Sequence, residues 1–302
     1  MKQVVSVSLG STRRDVDQVV DLLGERVHLE RRGTQGDLAA ARELIAELDG
    51  KVDAIGLGGI DLDLYLGRRR YRFRDAKRLA RAAKRTPVVC GAGLKNSLER
   101  FVVTWLADEI DWSATRVLMV SAVDRYGMAA ELAERGATVL YGDFLFALGL
   151  PVPVYRLTTL RRLSGILLPV ITRLPFRWVY PIGGEQESHK VRPGLSRYYQ
   201  WADVIAGDWH YIRRYAPPSL AGKTVLTNTT TREDIAFLKD RGVKTLITTT
   251  PRFEGRSVGT NLLEAAFVAI SGSYPLEAEH YEELISRAGL APTRLELGDN
   301  IP

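Results

Sequence analysis

Hydrophobic and polar positions along this chain switch between a strand period and a helix period. Val4–Leu9 is an apolar run of strand length, and Asp15–Leu23 sets Val16, Val19, Val20 and Leu23 at helical spacing. Val27–Leu29 reads as a short strand. Asp37 is an N-cap for a helix over Leu38–Leu48, whose apolar positions 38, 41, 44, 45 and 48 share one face, and Gly50 closes it. Val52–Ile60 (VDAIGLGGI) reads as a glycine-rich buried strand. A basic helix from about Phe73, a strand Pro87–Cys90 and a helix Leu98–Ile110 follow. After a boundary near Asp111–Ala114, Val117–Val120 is a strand, Ser121–Gly127 a turn of small residues, and Met128–Arg135 a helix stopped by Gly136. Ala137–Tyr141 is a strand that runs up to Asp143.

Beyond that point the pattern loosens. Leu145–Arg177 carries four prolines among many leucines and fits no single period, so it reads as a packed insertion at a subunit contact, with a lid or a membrane-surface patch as the other readings. Arg177–Ile182 resembles a strand, and Gly183–His189 a polar loop. Ala202–Ile205, Lys223–Thr229 and Val243–Thr249 read as strands, with a helix Arg232–Arg241 and its stop Gly242 between the last two. Helices Asn261–Ile270 and Glu277–Ala288 lead to a final strand-like TRLEL. Strands separated by helices predict mainly parallel sheets, and 302 residues exceed one ordinary domain.

Composition adds limits. With 45% hydrophobic and 26% charged residues the chain is an ordinary globular one. Its single cysteine, Cys90, excludes a disulfide framework and suits a cytoplasmic setting. Met1-Lys2-Gln3 leads straight into a strand without a signal segment, and Gly165–Thr172 is too short to span a bilayer. The net charge of +6 is local: Arg68–Arg85 holds ten basic residues and one acid, and the remainder is slightly acidic. Arginines alternating with Tyr71 and Phe73 suit single-stranded nucleic acid, but a basic rim steering an anionic small molecule fits better, so nucleic acid is not the expected partner. The four histidines, His28, His189, His210 and His280, show no metal-ligand spacing, and no metal is expected.

The segment Arg116–Asp143 outlines a dinucleotide-binding β-α-β unit. Its turn is degraded to S-A-V-D-R-Y-G, with Gly127 alone surviving, and Asp143 lies 22 positions after Ser121, near the spacing of a ribose-binding acid. The expected cofactor residues are Ser121, Ala122, Arg125 and Gly127 at the pyrophosphate, Asp143 at the ribose, and Thr227 and Asn228 at a strand end near the nicotinamide. An acid at 143 favours NAD over NADP.

The order of parts resembles the shikimate/quinate dehydrogenase family, in which an α/β substrate domain precedes a Rossmann domain and terminal helices return to the first. WADVIAGDWHYI resembles the family's D-x-x-x-N-x-T-P-x-G-M strand and loop, and SVGTNLLEAAFVAISG resembles its G-x-G-M-L-x-x-Q-A segment. That resemblance implies Gly259 as a cofactor-side glycine, Glu264 and Asn261 as substrate contacts, and Ser8, in the faint S-x-S echo Ser6-Val7-Ser8, as a third. The family's N-V-T-x-P-x-K and N-T-D-x-x-G motifs are missing as written. By position, Lys95 in VVCGAGLKNSLERF stands for the catalytic lysine, and Asp61, with Asp63 beside it, for the catalytic aspartate. The expectation is therefore a two-domain α/β protein: a substrate domain over 1–112, a Rossmann-like domain over 113–258, and helices over 259–302 packing back on the first. The expected activity is NAD-dependent hydride transfer to or from a hydroxylated carboxylic acid, with Lys95 and Asp61 moving the proton. A homodimer through 145–177 completes the expectation. The alternative is a binding or regulatory protein that kept the shell and lost the chemistry.

Overall fold

The computed structural model describes residues 1–175, 192–253 and 256–298. In chain order these form β1 (Lys2–Ser8), β2 (Val16–Leu22), β3 (Glu25–Gly33), α1 (Leu38–Leu48), β4 (Ala54–Gly58), β5 (Asp63–Leu66), β6 (Arg69–Arg72), α2 (Arg74–Ala80), β7 (Val88–Val89) and α3 (Ala92–Trp105). Then come β8 (Arg116–Met119), α4 (Tyr126–Glu134), β9 (Thr138–Tyr141), α5 (Asp143–Phe146), α6 (Leu157–Ile171), α7 (Pro193–Trp201), β10 (Val204–Ala206) and α8 (Trp209–Tyr215). The last group is β11 (Thr224–Thr227), α9 (Arg232–Lys239), β12 (Thr245–Thr248), β13 (Arg252–Phe253), β14 (Arg256–Ser257), α10 (Thr260–Ser271), α11 (Ala278–Arg287) and β15 (Thr293–Glu296).

The chain is a two-domain α/β protein whose compact units interleave. The first holds Met1–Leu98, Gly165–Gln186 and Gly259–Leu290; the second holds Glu99–Ser164, Glu187–Val258 and Ala291–Pro302. The boundary expected at 112/113 thus falls at 98/99, inside α3. Part of the leucine-rich segment joins the first unit, and the last strand joins the second.

Each unit is built on one sheet. The first has the order β2-β3-β1-β4-β7, parallel except for β2 against β3. The second has the order β15-β12-β11-β10-β8-β9, parallel except for β15. Counted within each unit, the parallel strands run 2-1-3-4 and 2-1-3-4-5, so both are doubly wound with one reversal of strand order. The second sheet does not take the 3-2-1-4-5-6 order of a dinucleotide-binding Rossmann sheet. Its edge strand is β9, and the chain leaves it through α5 and α6 instead of adding a third strand there.

Several elements depart from the pattern reading for definite reasons. Val16–Leu22 is a strand, not a helix: Val20 and Leu22 alternate inward, Val19 is exposed, and Leu23-Gly24 (φ 56° and 81°) close a two-residue hairpin onto β3. The basic run opens as a second hairpin. Gly67 (φ 63°) and Arg68 link β5 to β6, pairing Leu66 with Arg69, and only then does α2 begin with Ala76 and Leu79 inward. Helix α3 starts six residues before the expected Leu98, because Gly91 and Gly93 belong to a tightly packed helix start rather than a loop. Helix α1 falls on its expected bounds, with the Asp37 side chain accepting from the N–H groups of Ala39 and Ala40. The strand expected at 177–182 and the loop at 183–189 lie outside the described residues.

In the first unit α10 packs on β1 and β4, burying Leu262, Leu263, Ala265, Ala266 and Phe267. The contact is close enough to demand glycine beneath it. A Cβ on Gly56 would sit 2.8 Å from the Asn261 carbonyl oxygen, and one on Gly91 would sit 2.7 Å from the Asn261 nitrogen. This brings the start of α10 directly over the carboxyl ends of β4 and β7.

Candidate functional site

Ligands of open α/β sheets bind beyond the carboxyl ends of the strands, where strand order reverses. In the first unit that reversal lies between β1 and β4, with β7 alongside. Lys95 stands four positions into α3, just after β7, and Asp61 follows β4. The structure brings them together: Lys95 Nζ lies 3.6 Å from Asp61 Oδ1, and the side chains are 9% and 22% exposed. The two residues paired by position alone therefore form a mostly buried ion pair at the sheet edge, open to solvent chiefly on the Asp61 side.

Asp63, expected beside Asp61 as a substitute for the family's catalytic aspartate, has another task. Its buried carboxylate accepts from Arg70 Nη2 at 2.5 Å and from Arg72 Nε at 2.9 Å, across the β5–β6 hairpin. The hydrogen bond to Asp63 holds the Arg70 guanidinium above its usual range. Two of the four arginines in the basic run at 68–72 are thus tied to one acid.

Glu264, expected to meet substrate, is instead a cap. Oε2 accepts from Gly91 N at 2.5 Å; Oε1 accepts from Gly93 N at 3.1 Å, Leu94 N at 3.2 Å and Tyr281 Oη at 2.7 Å. Burial raises its proton affinity, and the Tyr281 hydroxyl and the three amides oppose that rise. Four donors on one carboxylate satisfy the orphan N–H groups at the start of α3 and place a negative charge at its N-terminus. Tyr281, which pattern reading did not single out, completes this arrangement. Cys90, next to the cap, is buried, and burial pushes its thiol up to about 12, so it is a packing residue.

Asn261 and Ser8 are also engaged within the unit. Asn261 Nδ2 donates to Ser6 Oγ at 2.6 Å. Ser8 Oγ accepts from Gly10 N at 3.1 Å and from Arg31 Nη2 at 2.8 Å, tying the loop after β1 to β3. Gly259, expected on the cofactor side, lies in the first unit as the residue before α10, away from the nucleotide-type turn in sequence and in unit.

In the second unit the carboxyl edge is occupied by its own side chains. Asp143 follows β9 as the first residue of α5, and its carboxylate accepts from Ala122 N at 3.1 Å and Val123 N at 2.8 Å. These are turn amides of the kind that a pyrophosphate takes in a dinucleotide site. Ser121 Oγ accepts from Asp208 N at 3.0 Å. Arg125, expected at the pyrophosphate, is buried; it pairs with Glu99 and, at 3.1 Å, with Asp208. Burial opposes its charge, and Glu99, Asp124 and Asp208 more than offset that, holding the guanidinium above its usual range.

Thr227 Oγ1 donates to the Gly207 carbonyl at 2.8 Å, while Asn228 Nδ2 donates to Asp208 and its Oδ1 accepts from Trp209 N. Gly127 lies buried in the first turn of α4. Apart from Gly259, the residues expected to grip NAD stand at the carboxyl ends of the second sheet, and the polar side chains among them are engaged within that unit. Asp208 and Glu99, the acids at the centre of this network, escaped sequence reading; only the N-cap position of Asp208 before Trp209 marked it locally.

Burial raises the Asp143 carboxyl to about 6, even though the two turn amides pull it down. A raised folded-state value means that the native chain binds this proton more tightly than the unfolded chain does. Its contribution is fully present below about pH 4 and is lost as pH rises to about 6, a change on the order of 3 kcal/mol. Melting temperatures of the wild type minus those of Asp143→Asn, taken from pH 4 to 7, are expected to fall across that window. Parallel curves for the two proteins would contradict the assignment.

Comparison with known proteins corrects the expected family. The model for "Domain of unknown function (DUF8753)" matches residues 3–90, and no curated protein matches the chain. A hetero-hexameric glutamate dehydrogenase from Thermus thermophilus aligns at 11% identity and TM-score 0.46, covering 95% of this chain and 73% of that one. An ABC-transporter solute-binding protein from Burkholderia multivorans aligns at 13% identity and TM-score 0.39, over 97% and 99% of the two chains. One from Agrobacterium vitis with bound allitol aligns at 11% and 0.38, over 95% and 98%. TM-scores below one half carry no inference about chemistry.

The resemblance to shikimate/quinate dehydrogenases is not upheld: the family models that match the chain are those of domains of unknown function. The reading as an NAD-dependent oxidoreductase falls with it. Among the described residues no helix is long and apolar enough to cross a membrane. The second family model, "Domain of unknown function (DUF8754)", spans residues 93–297, more than half of the chain, and the protein belongs to that family.

Proposed function

We propose that the protein is a binder of a small hydroxyl-bearing molecule, held at the carboxyl edge of the first sheet by Lys95 and Asp61. The carrying observation is the 3.6 Å spacing of this mostly buried pair at the point where strand order reverses. A hydroxyl oxygen sitting about 2.8 Å from each group fits such a gap, donating its proton to Asp61 and accepting from Lys95. A buried ionisable pair at the carboxyl end of an open α/β sheet, where strand order reverses, stands where such folds hold their ligands. Glu264 supports the site by fixing Gly91–Leu94, the residues that set the position of Lys95. In the second unit the Asp143 carboxylate and the Arg125 guanidinium are engaged within the unit, which favours the first sheet as the ligand site.

The test is thermal unfolding against a panel of polyols, sugars and hydroxy acids, with NAD, NADH and NADP included. A ligand at a hundred times its dissociation constant adds about 2.7 kcal/mol, and a protein of this size then melts several degrees higher. At least one hydroxylated compound is expected to produce that shift and the nucleotides none. A shift with nucleotides alone would mean that Asp143 yields its two amides, and would overturn the assignment.

A further inference from the structure

We propose that the first unit docks on the surface of an anionic membrane, through the outer face of α6 together with the basic β5–β6 hairpin. Helix α6 turns one face inward through Leu168 and the following Thr172, both buried. Its other face sets Ile166 and Val170 one turn apart, and Leu174 follows in the turn after the helix; they are 72%, 60% and 36% exposed. An outward row of aliphatic side chains is what a helix lying in a bilayer interface presents, and α6 is too short to span one.

The charge around this row favours a lipid surface over other occupants. The hairpin tip reaches α6: a Cβ on Gly165 would lie 3.9 Å from Arg69 Nη1 and 3.9 Å from the Tyr71 hydroxyl oxygen. Helix α2 is tied to the same place, since Arg74 N donates to the Thr172 carbonyl at 3.0 Å. Arg68, Arg69, Arg74, Lys77, Arg78 and Arg173 are all exposed. Between Phe144 and Gly184 the sequence holds five arginines and no aspartate or glutamate.

Exposed aliphatic groups with cations on the adjoining hairpin and helix match the acyl boundary and phosphate headgroups of an anionic leaflet. A second copy of the chain using the same face would set these arginines against themselves, and nucleic acid has no use for the aliphatic row. The two sequence features left without a role, the +9 run and the leucine-rich segment, thereby become one surface.

Flotation of the full chain with vesicles tests this. Binding is expected to phosphatidylcholine mixed with phosphatidylglycerol, to weaken with salt, and to be absent with phosphatidylcholine alone. The double variant Ile166→Ser/Val170→Ser is expected to lose about tenfold or more in vesicle affinity while its melting temperature stays unchanged, because both residues are exposed. Arg68→Gln/Arg69→Gln should weaken binding by removing two cations at the surface. No binding to the anionic vesicles at low salt would overturn the proposal, as would unchanged binding by the serine variant. A vesicle-free dimer abolished by the serine variant would assign the face to a second copy instead. Binding of a single-stranded oligonucleotide that blocks vesicle binding equally in wild type and serine variant would likewise overturn it.

Discussion

Replacing Arg125 with methionine is expected to destabilise the protein by about 3–5 kcal/mol, among the largest effects of any single substitution in the second unit. The guanidinium is buried among Glu99, Asp208 and Asp124, and three acids converge on it. Methionine keeps the apolar volume but leaves Glu99 and Asp208 as buried carboxylates without their cation. Those acids must then take up protons, so the loss should be greater at neutral than at acid pH. Adding Glu99→Gln to the variant should recover part of the loss, since one stranded charge is removed. Urea unfolding of the single and double variants at two pH values measures this. A single-variant loss below about 1 kcal/mol would contradict the buried ion cluster.

Removing the Glu264 carboxylate should weaken the first unit by a similar amount. Glu264→Ala strands three amide N–H groups and the Tyr281 hydroxyl, each worth about 1–3 kcal/mol when buried and unsatisfied. Water entering the space left by the side chain keeps the total near about 4 kcal/mol rather than the full sum. Glu264→Gln should lose less, about 2 kcal/mol, because its carbonyl serves the Oε1 partners while its amide faces the Gly91 N–H. Tyr281→Phe removes one donor and should lose about 1 kcal/mol. An order in which glutamine is as damaging as alanine would place the effect in charge rather than in capping.

What the sequence made legible follows from how local each signal is. Helix α1 announces itself through Asp37 and its apolar stripe, and the strand–helix alternation yields the two α/β sheets. The proximity of Lys95 and Asp61 is legible because each stands at a strand end, a position type that residue order reveals. The hairpins were missed because Val16–Leu23 satisfies the helical and strand periods at once, and because Leu66-Gly67-Arg68 was absorbed into a charge run. Asp143 and Glu264 stand out in the sequence as acids, but their observed partners are backbone amides rather than ligand groups. The amides each one holds lie 20 and about 170 positions away, and nothing near either residue shows that they are engaged. The interleaving of the units is equally invisible locally, since the chain crosses between them inside α3 and α6. Repetition of the 2-1-3-4 strand order in both units lives in topology, which is why no sequence repeat betrays it.

Calorimetric titration of the best hydroxylated compound from the panel, into wild type, Asp61→Asn and Lys95→Met, tests the central claim most directly. Each substitution removes one side of the 3.6 Å pair while nearly conserving size. Affinity is predicted to fall by about tenfold or more in each variant, the loss expected of a charge-assisted hydrogen bond worth about 1.5–3 kcal/mol. Wild-type affinity in both variants, with the fold intact, would contradict the assignment of this site.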